Sequence, residues 1–303
     1  FLLTVMPAPG LIRRLTPAGH MQSALGMWGA YMPLGTAIAL ASGPLAIGHA
    51  GWRGWWLLMA GLTLAMMAWV ALAIGPDRAS AVVVPRVSPK AVAGGVTWTL
   101  RVRRTLTTRG PWLVALCFAL YSGQWLAVIG FLPSVVAQSG PFGSATTTLL
   151  ALAALVNVVG NVASGRLLQR GVPARSLLAG GYIAMAIGAM VAFADIDWGR
   201  PPDTVAAIRY LGVLLFSMVG GLIPGTLFSL AVRLAPDESS VSTTVGWMQQ
   251  LSAMGQFLGP PLVAWIAYSA GGWQWTWVAT GICSLLGLFL AQRIHRQLIH
   301  AEI

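Results

Sequence analysis

Near its start the chain reads Arg14-Leu15-Thr16-Pro17, and near its end it reads Arg233-Leu234-Ala235-Pro236. After each run, glycine, tryptophan and Gly-Pro recur in the same order. The matched positions are Gly26, Trp28, Gly35, Gly43-Pro44 and Gly51-Trp52 in the first copy and Gly246, Trp247, Gly255, Gly259-Pro260 and Gly272-Trp273 in the second. Arg14 and Arg233 lie 219 positions apart, and Gly26 and Gly246 lie 220 apart. Repeats of apolar helices around a binding site are typical of secondary transporters, so the pattern predicts a permease.

The composition indicates an integral membrane protein. Of the 303 residues, 57% are hydrophobic and 8% are charged, whereas about a quarter of a soluble domain is charged. Crossing the bilayer as a helix takes about 20 apolar residues, and several runs reach that length. We expect an all-α fold with about nine spans. The expected spans are residues 1–12, 22–48, 54–74, 112–137, 144–168, 176–194, 207–232, 240–269 and 273–292.

The net charge of +11 is distributed unevenly between alternate loops. If the loop that carries Arg13 is cytoplasmic, fifteen of the 18 basic residues lie inside and only Arg53, Arg200 and Arg209 lie outside. The inside residues are Arg13, Arg14, Arg78, Arg86, Lys90, Arg101, Arg103, Arg104, Arg109, Arg166, Arg170, Arg175, Arg233, Arg293 and Arg296. This bias predicts a multi-pass protein of the cytoplasmic membrane with a cytoplasmic C-terminus. The basic residues form no continuous stripe, which argues against nucleic acid as a partner.

The cysteines and histidines give no sign of a metal, a cofactor or a disulfide. Cys117 and Cys283 lie in separate apolar spans, and neither has a histidine or an acid at ligand spacing. They are therefore interpreted as small core residues. The four histidines, His20, His49, His295 and His300, fall at loops or in the tail. A buried histidine proton relay is not supported.

The repeat also predicts the domain organisation. Residue 1 corresponds to a position inside the second copy, so we expect an N-terminally truncated chain that holds about nine of twelve spans. Residues 1–75 would complete the first six-helix bundle, and residues 111–303 would form the second. Residues 76–110 would be a basic cytoplasmic linker. Its end, residues 98–104, suits either a short helix on anionic lipid or a plain basic loop.

Two repeats joined by a long basic loop resemble the major facilitator superfamily. The Gly35 and Gly43-Pro44 run resembles the glycine-proline motif of that family's fifth helix, and Gly255 and Gly259-Pro260 repeat it in the eleventh. Gly165, Arg166 and Arg170 resemble the family's cytoplasmic loop motif, although Gln169 stands where an acid is common. The resemblance implies a two-bundle helical fold and solute transport by alternating access.

Three short runs are similar to the cyanate permease-like branch of the superfamily. They are Trp28-Gly29-Ala30-Tyr31-Met32-Pro33-Leu34-Gly35, Gly51-Trp52-Arg53 and Phe131-Leu132-Pro133. This similarity implies a small anion or a compact organic compound as the substrate.

Uncharged polar residues inside the spans are the candidates for the substrate pathway, because polar groups in hydrocarbon need a cavity or a partner. The candidates are Tyr121, Gln124, Trp125, Asn157, Asn161, Gln249, Gln250, Trp28 and Tyr31. The first three are preferred, because in this family the first helix of a half lines the central cavity. Each asparagine or glutamine could instead bond a neighbouring helix.

Gly43-Pro44 and Gly259-Pro260 are candidate helix hinges, since proline removes a backbone hydrogen bond and glycine allows close approach. Gly35 and Gly255 belong to the same pattern. Plain helix packing is the alternative interpretation of all six residues.

We therefore expect a secondary active transporter that can work as a monomer, with the bilayer, a small solute and an unidentified coupling ion as partners. A permease subunit of an ATP-driven system and a membrane-embedded enzyme are the alternatives. The enzyme is disfavoured, because no span offers a histidine, aspartate or glutamate for catalysis.

Overall fold

The structure is a computed structural model that describes residues 8–74, 97–139 and 146–301, together with Val5. In this part of the chain the secondary structure is helical, without strands. The helices are α1 Ala8–Leu15, α2 Met21–Gly29, α3 Tyr31–Ile74, α4 Trp98–Thr107, α5 Arg109–Ser139, α6 Thr146–Gln169, α7 Ala174–Phe193, α8 Pro202–Gly220, α9 Leu222–Leu234, α10 Val241–Ser269 and α11 Thr276–Ala301. Short 3₁₀ turns precede α2, α10 and α11.

Six segments of the described chain are long and apolar enough to cross a membrane. They are Met21–Ala73, Arg109–Leu132, Thr146–Gln169, Ala174–Phe193, Pro202–Leu234 and Trp273–Ile299. The all-helical membrane fold is therefore confirmed, whereas the number of nine spans out of twelve stays a prediction. Met21–Ala73 contains two of the expected spans. The expected span 240–269 corresponds to α10, which is not among the six segments and carries three glutamines. Half of the expected span 1–12 lies outside the described residues, as do linker residues 76–96.

Gly51 separates the two expected spans that share α3. Its φ of 68° is a left-handed conformation that favours glycine. A Cβ atom placed on Gly43 would lie 4.0 Å from Cζ2 of Trp55. Twelve residues of a straight helix would span about 18 Å, too far for a tryptophan side chain to bridge. The chain therefore folds back on itself at Gly51.

The helices of the second repeat enclose the main buried core. Tyr182, Phe216 and Phe228 are among its largest fully buried side chains. Tyr182 lies on α7 and donates a 2.6 Å hydrogen bond to the carbonyl of Cys117 on α5. Burying three aromatic rings with the hydroxyl satisfied stabilises this arrangement. Both cysteines are free thiols; Cys117 is buried and Cys283 is half-buried.

A seam of small residues brings α10 against α5. A Cβ atom added to Gly259 would come 2.5 Å from the carbonyl oxygen of Gly123, and one added to Gly255 would come 3.0 Å from the carbonyl carbon of Ala119. Such contacts require glycine, because backbone atoms leave no room for a methyl group. Pro260 follows this seam directly within α10.

The first copy of the Gly-Pro pattern has different surroundings. Pro44 lies inside α3, and a Cβ atom added to Gly35 would meet no other atom within 4 Å among the described residues. The packing role is therefore visible at Gly255 and Gly259. A hinge role for Gly43, Pro44, Gly259 and Pro260 stays a prediction.

The described end of the linker forms α4 and docks onto the turn before α10. Arg104 forms an ion pair with Asp237, with 3.0 Å between Nη1 and Oδ2. The hydroxyl groups of Thr105 and Thr243 lie 2.7 Å apart, and Thr105 is buried. Of the two interpretations of residues 98–104, the structure favours the short helix. It lies against protein on one side and leaves Trp98 exposed.

Docking of α4 is expected to be independent of pH in the physiological range. Hydrogen bonds from Ser239, Arg104 and Ser240 lower the pKa of Asp237 to about 2. A lowered pKa stabilises the fold above the ordinary carboxyl value, and the contribution disappears as the pH falls through about 2. Amide exchange of residues 98–107, corrected for intrinsic rates, should therefore be unchanged from pH 8 to 5. Asp237→Asn should accelerate it at pH 7, whereas Asp195→Asn should not. Loss of protection in the wild type near pH 5 would contradict this explanation.

The contacts collect the basic segments at one end of the helices. Arg104 meets Asp237, the side chain of Gln297 lies near Gly110, and Gln169 bonds to Gly19. The end of α4 thus neighbours the start of α10, the end of α11 neighbours the start of α5, and the end of α6 neighbours the start of α2. We call this the basic end. That it faces the cytoplasm is a prediction from the positive-inside bias.

Candidate functional site

A small cavity lies between the first-repeat segment at the α2–α3 junction and the helices of the second repeat. Its volume is about 20 Å³, which is room for about one water molecule. The lining residues are Gly29, Tyr31, Met32, Pro33, Phe118, Tyr121, Ser122, Trp125, Asn157, Pro224, Phe228 and Gln256. The walls are mostly aromatic and apolar, with a few amide and hydroxyl groups. This composition is typical of small-molecule sites.

Interruptions of two helices flank the cavity. At Ala30, between α2 and α3, the backbone amide bonds to the carbonyl of Met27 in the tighter 3₁₀ pattern. At Gly221, α8 gives way to α9, and Pro224 lacks the amide that would continue the hydrogen-bond ladder. Interrupted helices in membrane transporters commonly surround the binding site.

A buried hydrogen-bond network forms the floor of the cavity. The Asn157 amide donates to the hydroxyl of Tyr121 at 3.0 Å and to the carbonyl of Ser217 at 2.6 Å. The indole of Trp125 donates to the hydroxyl of Ser217 at 3.1 Å. These four side chains come from α5, α6 and α8, and all are buried. The network holds aromatic and amide groups of three helices in fixed orientations.

Asn161 extends the network by one turn along α6. Its amide donates to the side-chain oxygen of Asn157 at 2.9 Å, and Ser164 donates to its backbone carbonyl at 2.7 Å. Gly221, just before α9, packs closely here, because a Cβ atom added to it would come 3.2 Å from the backbone nitrogen of Asn161. Asn157 and Asn161 thus line up on one face of α6, as their spacing predicts.

Trp28 and Tyr31 form the first-repeat wall of the site. Trp28 packs edge-on against Phe228, with ring centroids 4.5 Å apart, and lies 5.5 Å from the Tyr31 ring. The amide of Gln249 donates to the Tyr31 hydroxyl at 3.2 Å. These contacts join α2 and α3 of the first repeat to α9 and α10 of the second.

Two of the sequence candidates point elsewhere. Gln124 is buried, but its oxygen accepts a 3.2 Å hydrogen bond from Ser284, so it connects α5 to α11. Gln250 is exposed on α10 and does not line the cavity. The structure therefore brings together Tyr121, Trp125, Asn157 and Asn161, with Trp28, Tyr31 and Gln249 adjacent.

Several lining or supporting residues were not among the sequence candidates. Phe118 and Phe228 are core aromatics whose ring centroids lie 5.5 Å apart, and nothing in the sequence distinguishes them from lipid-facing ones. The sequence does not single out Ser217, because serine is common in membrane helices. The nearby Gly220-Gly221-Leu222-Ile223-Pro224 run could have marked it, since glycine and proline in corresponding apolar segments point to a broken helix.

The loop-motif residues lie where α6 crosses α2 at the basic end. A Cβ atom on Gly165 would come 2.9 Å from the Cα atom of Ser23. The Ser23 hydroxyl donates to the side-chain oxygen of Gln169 at 2.5 Å, and the Gln169 amide donates to the Gly19 carbonyl at 2.8 Å. Arg166 and Arg170 are exposed beside this contact. Gln169 thus joins the two repeats with neutral groups where an acid is common.

The site is electrically neutral. Every described residue that lines the cavity is uncharged. Within the described residues, histidine, cysteine and acidic side chains form no group that could hold a metal ion. Recognition here would depend on hydrogen bonds from amide, indole and hydroxyl groups and on aromatic contact.

The sequence was also compared with known proteins. Curated proteins gave no match to this chain. The family model of the Major Facilitator Superfamily matches residues 3–254, which is more than half of the chain and includes almost every residue of the cavity. This chain therefore belongs to the Major Facilitator Superfamily and is a multi-pass membrane transporter.

Proposed function

We propose that this chain is a secondary active transporter that moves a small anion or a compact organic solute across the cytoplasmic membrane by alternating access. The cavity at the contact between the two repeats is the observation that carries the proposal. Its lining comes from both repeats, and interrupted helices lie beside it. A site between repeats is the arrangement that lets rocking of the halves expose it to each side in turn.

In this proposal the structure represents a conformation in which the site is closed to the solute. About 20 Å³ is too small for any organic solute. Substrate entry would therefore require α2 and α3 to move away from α9 and α10. The aromatic contact between Trp28 and Phe228 and the hydrogen bond between Gln249 and Tyr31 would have to separate.

A neutral, compact site supports a small substrate. Tyr121, Trp125 and Asn157 present polar groups next to aromatic surface. Such groups suit a carboxylate or a small anion as hydrogen-bond acceptor, as well as a polar neutral compound. In this proposal the basic end, with the C-terminus, lies in the cytoplasm. The coupling ion is not specified by the neutral lining.

The test is uptake by purified protein in sealed vesicles. A panel of small anions and compact organic acids is first screened for a rise in thermal unfolding temperature, because ligands that bind the folded state stabilise it. Uptake of a stabilising solute is then followed with an imposed ion gradient. Accumulation that an ionophore abolishes and that needs no ATP supports the proposal. Uptake equal to that of protein-free vesicles, or uptake that requires ATP, contradicts it.

Gln169 is expected to stabilise the closed basic end. Its amide donates to the Gly19 carbonyl, and this bond does not involve Ser23. A Ser23→Cys, Cys283→Ser background therefore keeps the bond and places a reactive thiol beside it. Removing that bond by Gln169→Ala should raise the rate of Ser23→Cys alkylation by a neutral maleimide about fivefold, since one net hydrogen bond contributes about 1 kcal/mol. Gln250→Ala in the same background is the control and should leave the rate unchanged. Equal rates for all three proteins would show that Gln169 does not hold α2 against α6.

A further inference from the structure

A second, larger groove lies at the basic end, between the start of α5 and the end of α11. Its volume is about 850 Å³, and it is distinct from the cavity between the repeats. Arg109, Arg293 and Arg296 contribute three cationic groups to it, with Gln297 beside them. Leu113 and Phe289 supply an apolar wall. The groove thus combines concentrated positive charge with hydrophobic surface.

The three arginines have no acidic partner among the described residues. The ion pair between Arg104 and Asp237 does not involve any residue that lines the groove. The Arg293 guanidinium lies over the Phe289 ring, 4.8 Å from its centroid, which orients it along the apolar wall. All three arginine side chains are exposed. Uncompensated charges that converge on one groove favour an anionic ligand.

The surroundings of the groove indicate which kind of anion it fits. Below the arginines the helices present exposed apolar side chains, among them Leu116, Leu286 and Phe289. These residues belong to segments that are apolar enough to cross the bilayer. Basic groups above an apolar strip match a phospholipid, whose headgroup carries phosphate and whose acyl chains need hydrocarbon contact. A free phosphate would use the arginines and leave the apolar wall without a function.

We propose that this groove binds an anionic phospholipid, with Arg109, Arg293 and Arg296 around the headgroup phosphate and the acyl chains along Leu113 and Phe289. The first turn of α5 lies at the same place, and its dipole favours an anion. A lipid held between α5 and α11 would attach the second repeat to the surface of the anionic leaflet. The proposal is independent of the nature of the transported solute.

Native mass spectrometry of the purified protein in mild detergent tests the proposal by counting bound lipids during titration with phosphatidylglycerol or phosphatidylcholine. The wild type should bind one phosphatidylglycerol in preference to phosphatidylcholine. Each arginine near a lipid headgroup contributes roughly a fivefold factor, so Arg293→Gln/Arg296→Gln should weaken that binding about 25-fold. Arg293→Lys/Arg296→Lys retains the charge and should keep most of the preference, which controls for misfolding.

A matched charge change elsewhere at the basic end provides the second control. Arg170→Gln/Arg175→Gln removes two exposed arginines outside the groove, one in the loop after α6 and one in the first turn of α7. It should leave phosphatidylglycerol binding unchanged. Equal weakening by both glutamine pairs, or absence of a preference in the wild type, would overturn the proposal. Displacement of the lipid by inorganic phosphate at equal concentration would also overturn it, because it would identify a site for a free anion.

Discussion

Replacement of Asn157 by leucine is expected to reduce transport by roughly fivefold or more while the protein stays folded. The amide of Asn157 lines the cavity and holds the hydroxyl of Tyr121 at 3.0 Å. Leucine is similar in size but can neither donate nor accept. Losing one or two hydrogen bonds to a bound solute weakens it by about 1–3 kcal/mol, and 1.4 kcal/mol corresponds to a factor of ten. Uptake into vesicles, with the solute identified by thermal stabilisation, measures the effect.

The loss of stability in Asn157→Leu should be modest, which separates function from folding. The Tyr121 hydroxyl loses its hydrogen bonds to Asn157, but it lines the cavity, which has room for about one water molecule as a new partner. The Ser217 carbonyl that accepts from Asn157 also accepts from the Gly221 amide at 3.0 Å, so it keeps a partner. Hydrogen bonds between membrane helices average about 0.6 kcal/mol. Gln250→Leu is the matched control, because Gln250 is exposed on α10 and does not line the cavity. This variant should transport normally. Normal uptake by Asn157→Leu, or an equal loss in Gln250→Leu, would contradict the assignment of the site.

The membrane class and the helical fold could be predicted from the sequence because they depend on composition and length. Long apolar runs leave helices as the structure that satisfies every backbone group in hydrocarbon. The turn at Gly51 was also predictable, since the apolar pattern is interrupted at Gly51-Trp52-Arg53-Gly54. The number of spans stays a prediction. The helix α10, which the sequence analysis counts as a span, is not among the six segments of the described chain that are long and apolar enough to cross a membrane.

The sequence predicts only in part which candidate residues lie together at the cavity, because it does not fix the direction of every side chain. Asn157 and Asn161 are four residues apart on α6, so periodicity alone placed them on one face. Gln124 and Trp125 are consecutive, and consecutive residues of a helix point about 100° apart. They cannot both face the cavity, and the sequence did not show which one would. The structure directs Trp125 to Ser217 and Gln124 to Ser284.

The contacts between the repeats could not be predicted, because they join residues far apart in the sequence. Ser23 and Gln169 meet across 146 positions, and Tyr31 and Gln249 across 218. Gln169 departs from the family pattern, yet as an amide it offers both an acceptor and a donor and uses both at this contact. The glutamine at the position where an acid is common thus supplies a neutral contact between the repeats.

Replacement of Gly259 by alanine is expected to destabilise the protein by about 1–3 kcal/mol. This is the opposite of what intrinsic helix propensities predict. Alanine in a helix interior is favoured over glycine by about 1 kcal/mol. At Gly259, however, the added methyl group would come 2.5 Å from the carbonyl oxygen of Gly123 and 2.8 Å from its carbonyl carbon. Backbone atoms cannot rotate away as a side chain can. The substitution must therefore push α10 away from α5 and loosen the second repeat along its small-residue seam.

Whether Gly259→Ala lowers or raises the unfolding temperature distinguishes close packing from hinge flexibility at this position. Gly281 on α11 is the control, because an added Cβ atom would meet no other atom within 4 Å among the described residues. Gly281→Ala should leave the unfolding temperature unchanged or raise it, whereas Gly259→Ala should lower it. If Gly259 served only as a flexible hinge, alanine would stiffen α10 and raise the unfolding temperature at both positions. Thermal unfolding of the two variants in the same detergent decides between the interpretations, and a stabilised Gly259→Ala protein would disprove the packing role.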